Sequence, residues 1–161
     1  QAISKLQKER GNLDFATDEI VVTGGARPAI YAIYKAIVNP GDGVIFPVPS
    51  WNNNHYTYLH NANPIVITTK PENNFMPTAA ELAPHIPNAS LLSLCSPLNP
   101  TGTVFTKEAL LEICDLVLAE NKSRAEQGKK PLYVMYDQIY WPLTHGAIEH
   151  FNPVSLRPEM K

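Results

Sequence analysis

The chain alternates between two hydrophobic rhythms. Short apolar runs at residues 19–23, 43–46, 64–68, 91–95 and 132–136 are bounded by Gly, Pro, Asn or Asp, and each has the length of a strand. Several are apolar on both faces, as in GVIF and LYVMY, which is the pattern of strands buried between two layers. Between these runs, apolar residues recur at helical spacing over about 27–38, 51–60, 78–84 and 107–121. The last segment is the most regular. Leu110, Ile113, Cys114, Val117 and Leu118 form one stripe, Thr106 is placed to cap its start, and Glu108 suits the positive end of the helix dipole. Asn39-Pro40-Gly41-Asp42 reads as a turn leading into the next strand. Alternation of this kind predicts an α/β fold in which a mainly parallel sheet is covered by helices on both faces. No internal repeat interrupts it, and only residues 121–130 have the composition of a linker.

Composition narrows the function classes. With 161 residues, 44% of them hydrophobic and 17% charged, the chain has the apolar material for one core, as a soluble globular protein does. Its formal net charge is −2, and its one basic cluster (Lys122, Arg124, Lys129, Lys130) is interleaved with Glu120 and Glu126. That interleaving reads as a solvated loop and points away from nucleic acid and from membrane surfaces. No apolar stretch approaches the ~20 residues that span a bilayer, and the N-terminal residues lack the layout of a signal peptide, so a cytoplasmic protein is expected. Cys95 and Cys114 lie inside apolar patterns without paired spacing and are expected to be buried free thiols. The five histidines show no ligand spacing of the HExxH kind, so no metal site is expected.

In an open α/β sheet ligands bind beyond the carboxyl ends of the strands, so the residues after each run carry the candidate chemistry. After the first run, Gly24, Gly25, Ala26 and Arg27 precede a helical stretch, where backbone N–H groups can crowd an anion; a tight turn that merely needs glycine is the other reading. After the second stands Trp51, either a core side chain or a flat surface for a planar ligand. After the fourth, SPLNPTG holds Asn99 between two prolines that limit its backbone freedom, or uses it as a turn residue. After the fifth comes Asp137 in DQIY, at the mouth of an apolar run where an unpaired carboxylate is costly. It needs a cationic or donor partner, or it caps a helix that follows.

In this order and at this spacing, GGA at 24–26, Trp51, NPTG at 99–102 and D-x-x-Y at 137–140 resemble the class I/II aminotransferases, the pyridoxal-phosphate enzymes of the aspartate aminotransferase fold type. The resemblance extends from about Thr17 to Thr144. It implies an enzyme that moves an amino group between an amino acid and a 2-keto acid. It further implies that Gly25 and Ala26, with Arg27, hold the phosphate, that Trp51 stacks on the pyridine ring, and that Ile139 packs beneath it. Asn99 and Tyr140 would hydrogen-bond the ring oxygen, and Asp137 would pair with the ring nitrogen. A homodimer is implied as well.

The sequence departs from the family pattern at two places. Gln138 stands where glutamate is common, read here as a change of little consequence for the chemistry. The family's Schiff-base lysine lies some thirty-odd residues beyond the aspartate in a Ser-Lys context, whereas Lys161 follows Pro158-Glu159-Met160 on a polar tail expected to be solvated. Residues 1–161 therefore read as the central part of the cofactor-binding large domain, without the lysine stretch or the small C-terminal domain, and inactive alone. Other reactions of the same fold type (a C–S lyase, a decarboxylase, a synthase) and a non-catalytic binding or regulatory module remain open alternatives.

Overall fold

A computed structural model describes residues 1–51 and 53–161; the helix expected over 51–60 includes Asn52, which lies outside the described residues. The helices are α1 (Ala2–Gly11), α2 (Ala26–Ile37), α3 (Asn53–Leu59), α4 (Ala79–Leu82), α5 (Lys107–Glu126) and α6 (Pro153–Leu156). The strands are β1 (Gly43–Val48), β2 (Asn63–Thr68), β3 (Ala89–Cys95) and β4 (Tyr133–Asp137). They form one sheet in the order β2-β1-β3-β4, with every pairing parallel. Parallel pairing demands a crossover between neighbouring strands, and α3 and α5 supply two of them.

β1 and β3 at the centre of the sheet are buried on both faces, as their sequences require, whereas the edge strand β2 is largely exposed. Val44, Phe46, Leu91 and Met135 pack with Ile30 and Tyr34 of α2, Val38 just beyond its end, and Tyr56 of α3. Ile45, Leu92 and Leu94 face the opposite layer, with Leu82 of α4 and Leu110, Ile113, Cys114 and Val117 of α5. Burying each large aliphatic side chain of that stripe contributes about 1.5–3 kcal/mol. The Thr106 hydroxyl accepts from the Ala109 N–H at 3.2 Å and starts α5. Asn39–Asp42 is the expected turn, closed by the Asp42 N–H on the Asn39 carbonyl at 3.0 Å, with Gly41 at φ 88°. Gly43 opens β1 where the strands approach closely: a Cβ there would collide with the Asn88 carbonyl oxygen.

Three expectations are corrected. Residues 19–23 form no strand: Thr17–Glu19 is a 3-10 turn, and the apolar segment after it pairs with no strand of the sheet, leaving Val21 85% and Val22 74% exposed. Local composition favours an extended backbone there, but a strand exists only where a neighbour completes its ladder. Residues 121–130 are not a linker, because α5 continues to Glu126 and Asn121 clamps the next strand's entry, donating to Leu132 O at 3.0 Å and accepting from Leu132 N–H at 2.7 Å. In the basic cluster, Lys122, Lys129 and Lys130 are exposed as expected, and the departure is Arg124. Arg124 is buried and pairs with Glu120 at 2.6 Å.

Candidate active site

The carboxyl ends of β1, β3 and β4 and the start of α2 enclose a cavity of about 360 Å³. All eight residues singled out from the sequence line it: Gly25, Ala26, Arg27, Trp51, Asn99, Asp137, Ile139 and Tyr140. Gly25 precedes the first turn of α2 at φ 138°, a conformation that L side chains rarely adopt, and the Thr23 hydroxyl donates to its carbonyl at 2.7 Å. The open N–H groups of that helix start give the cavity one electropositive end. The Arg27 guanidinium adds charge beside it, resting over the Trp51 ring at 4.9 Å from the centroid.

Asn99 sits on a tightly closed loop. The Gly102 N–H reaches the Leu98 carbonyl at 2.7 Å and the Leu98 N–H reaches the Thr103 carbonyl at 2.8 Å, with Gly102 at φ 72°. Across the cavity mouth, Asn99 Nδ2 donates to Tyr140 Oη at 3.3 Å, which places two polar groups 41 residues apart side by side. Asp137 ends β4 half-buried. Its carbonyl accepts from the Ser96 N–H at 2.9 Å, and its Oδ1 accepts from the Ile139 N–H at 3.2 Å. The carboxylate thus caps its own turn. The alternative helix-capping role does not arise, since the next helical turn, Trp141–Leu143, starts after Tyr140.

A second polar group on the cavity wall was not visible in the sequence. Asn53, buried, accepts from Ser93 Oγ at 2.7 Å and from Tyr34 Oη at 3.5 Å, and donates to Ser50 Oγ at 3.2 Å. One side chain thereby ties the loop carrying Trp51 to β3 and α2. The only sequence signal was a lone hydroxyl in the apolar run LLSLC. Lys161 does not line the cavity and is not free in solvent: its Nζ pairs with Glu19 at 2.7 Å and donates to Asp14 O at 3.1 Å. No lysine lines the cavity among the described residues.

Cys95 sits opposite Asp137 in the β3–β4 register. Burial, aided by the Asp137 charge, pushes its thiol from 9.0 up to about 11. At pH 8 its thiolate is therefore about a hundredfold scarcer than that of an ordinary thiol. Alkylation of Cys95 by iodoacetamide is expected to be slower by about that factor than in the urea-unfolded chain, and to accelerate as pH rises toward 11. Native labelling at the unfolded rate would contradict the burial.

An anion site, a flat indole, two hydrogen-bonding groups and a carboxylate around one cavity suit a planar, phosphorylated, cationic heterocycle. The family model for aminotransferase class I and II matches residues 1–155. The chain belongs to the class I and II aminotransferases. Among its aminotransferase relatives, aspartate aminotransferase of Bacillus sp. (strain YM-2) is 31% identical over 100% of this chain and 39% of the relative. That of Pinus pinaster is 34% identical over 96% of this chain and 30% of its own. Of solved structures, Thermus thermophilus aspartate aminotransferase with maleate superposes at a TM-score of 0.86, with 28% identity, 99% of this chain and 39% of that one. Treponema denticola cystalysin, whose crystal structure contains a pyridoxal 5′-phosphate cofactor, superposes at 0.85 with 26% identity, covering 98% and 39%. This aminotransferase-family chain thus spans about two fifths of the length of the first of its curated relatives.

Proposed function

We propose that the protein carrying this chain is a pyridoxal-phosphate-dependent aminotransferase that moves an amino group between an amino acid and a 2-keto acid. Residues 1–161 form the central part of its cofactor-binding large domain, and the Schiff-base lysine and the small domain are supplied elsewhere in the protein. The observation that carries this reading is the convergence of Asp137, Asn99, Tyr140 and Trp51 with the start of α2 on one cavity. The donor set fits the cofactor: N–H groups and Arg27 for a phosphate, an indole face for a ring, and a carboxylate for a protonated ring nitrogen.

When bound, pyridoxal phosphate supplies an electron sink for the pair left when the Cα–H bond of an amino acid breaks. Each residue of the chain has a task around it. The N–H groups of Gly25 and Ala26 bind the phosphate, and Arg27 neutralises its remaining charge. Asp137 holds a proton on the ring nitrogen, since an opposite charge in contact raises such a pKa by about 1–3 units. Asn99 and Tyr140 would hold the ring oxygen by hydrogen bonds, and Trp51 and Ile139 would offer the ring their apolar surfaces. We infer a homodimer in the cytoplasm, a reducing compartment that suits two free cysteines. Among the described residues, no helix is long and apolar enough to cross a membrane.

The test is acceptor dependence. The full-length protein is expected to convert an amino acid to its keto acid only when a second 2-keto acid is added, and residues 1–161 alone, with no cavity lysine, are expected to show no turnover. Keto acid release without an acceptor would assign the protein to the lyases of the fold type instead. No cofactor binding by the full-length protein would favour the non-catalytic module.

A further inference from the structure

Gln138 follows Asp137 in the DQIY run, and strand alternation sends its side chain away from the cofactor cavity. There Gln138 Oε1 meets two groups at once, Asn152 Nδ2 at 2.9 Å and His150 Nε2 at 3.0 Å. The proton positions in this relay follow from its far end. Asn152 Oδ1 accepts from the Val154 N–H at 2.8 Å as the cap of α6, so the Asn152 amide must present its NH₂ to Gln138. Gln138 must therefore present its oxygen, and an oxygen without a proton obliges His150 to donate from Nε2. The remaining ring nitrogen, Nδ1, is enclosed and has no hydrogen-bond partner among the described residues. A second proton there would bury an N–H with nothing to receive it, and burial lowers the His150 pKa accordingly.

We propose that Gln138 is the positioning residue for Asp137, clamping the end of β4 through an uncharged Asn152–Gln138–His150 relay. This assignment rests on the proposed role of Asp137 at the cofactor ring. The peptide that joins residues 137 and 138 is held from both sides. On one side the Ser96 N–H binds the Asp137 carbonyl at 2.9 Å; on the other the relay holds the Gln138 side chain. The segment that supplies the relay is itself docked, by Tyr136 Oη donating to the Phe151 carbonyl at 2.9 Å and by the two-pronged Arg157–Asp115 pair at 2.7 and 3.0 Å.

An amide at 138 has a chemical consequence that a carboxylate would not. A glutamate would draw a proton onto His150 and place a second negative charge one residue from Asp137. Glutamine accepts the same two hydrogen bonds and leaves Asp137 the one carboxylate of the strand end. The charged groups sharing the cavity beside His150 are Lys8, Glu9 and Arg10 of α1, Lys107 of α5 and Glu149. From β4 it meets the Tyr136 ring at 6.0 Å between centroids.

The experiment uses the full-length protein, its Q138L and Q138E variants, ¹⁵N NMR of the His150 ring and steady-state kinetics. In the wild type His150 is expected to be neutral at pH 7 with its proton on Nε2. Q138L, which keeps the size and loses the acceptor, is expected to lower kcat roughly fivefold while KM changes less than twofold, as one lost neutral hydrogen bond would do. Q138E is expected to raise the His150 titration midpoint and to give kcat a dependence on pH with that same midpoint, as the charge-balanced imidazolium–carboxylate pair below it gives way to an uncompensated second carboxylate beside Asp137 above it. An Nδ1–H tautomer or a His150 cation at pH 7 in the wild type would overturn the relay, as would a folded Q138L with unchanged kcat. Should Q138L not fold, the wild-type NMR and the Q138E profile decide alone. A protein that carries the relay yet transaminates nothing overturns the proposed function, and with it the purpose of the clamp. One that transaminates without the relay overturns the clamp only.

Discussion

Replacing Asp137 by alanine in the full-length protein is expected to leave pyridoxal phosphate bound and to lower transaminase turnover by at least about a hundredfold. Binding survives because Gly25, Ala26, Arg27, Trp51, Asn99 and Tyr140, which line the same cavity, are all untouched. Turnover falls for two reasons. One charge-assisted hydrogen bond is worth about 1.5–3 kcal/mol, already some ten- to hundredfold in rate. The larger loss is the ring proton itself, since a neutral pyridine accepts the Cα electrons far less readily than a pyridinium. The Asp137→Asn variant separates the two, because an amide keeps the turn to the Ile139 N–H, 3.2 Å from Oδ1, and loses only the charge. It should fall nearly as far as alanine. The measurements are cofactor content by absorbance and kcat with an added keto acceptor. Turnover within threefold of wild type in either variant would remove Asp137 from the chemistry.

The sheet and the cavity were legible for one shared reason. β1, β3 and β4 are apolar on both faces, so the sequence marks them as sandwiched, and in such a sheet the first polar residues past each strand must surround the ligand cleft. What stayed hidden depends on partners. α1 buries no residue, so it carries no apolar stripe to read. Residues 19–23 have strand composition but pair with no strand among the described residues. The contacts that stiffen the cavity join residues far apart: Asn53 to Ser93 across 40 positions, Gln138 to His150 across 12. Hydrogen bonds of this reach leave no periodicity, and Gln138 in isolation looks like an idle exchange of an amide for a carboxylate. Arg27 was similarly half-legible. Its position at a helix start suggested a phosphate partner, while the structure also sets it against Trp51.

Arg124 shows how composition misleads when burial decides. It falls in a stretch rich in lysine and glutamate, yet it is only 8% exposed near the end of α5. Its guanidinium donates to Glu120 at 2.6 Å, to the Ile86 carbonyl at 2.7 Å and to the Lys130 carbonyl at 3.4 Å, so it joins the helix to the turns that open β3 and β4. Arg124→Ala is expected to destabilise the protein by about 3–5 kcal/mol, because it strands the Glu120 carboxylate in a largely enclosed position. Against a total stability of about 5–15 kcal/mol, that loss is large. Arg124→Lys should recover only part of it, since an ammonium can pair with Glu120 but cannot fork to Ile86 and Lys130 as well. Removing both charges, as in Arg124→Met with Glu120→Leu, should cost much less than the single alanine change, because no buried charge is then left alone. Urea unfolding of the four proteins reads the order directly. A single alanine variant within about 0.5 kcal/mol of wild type, the range of ordinary surface changes, would mean that this arginine is solvated after all.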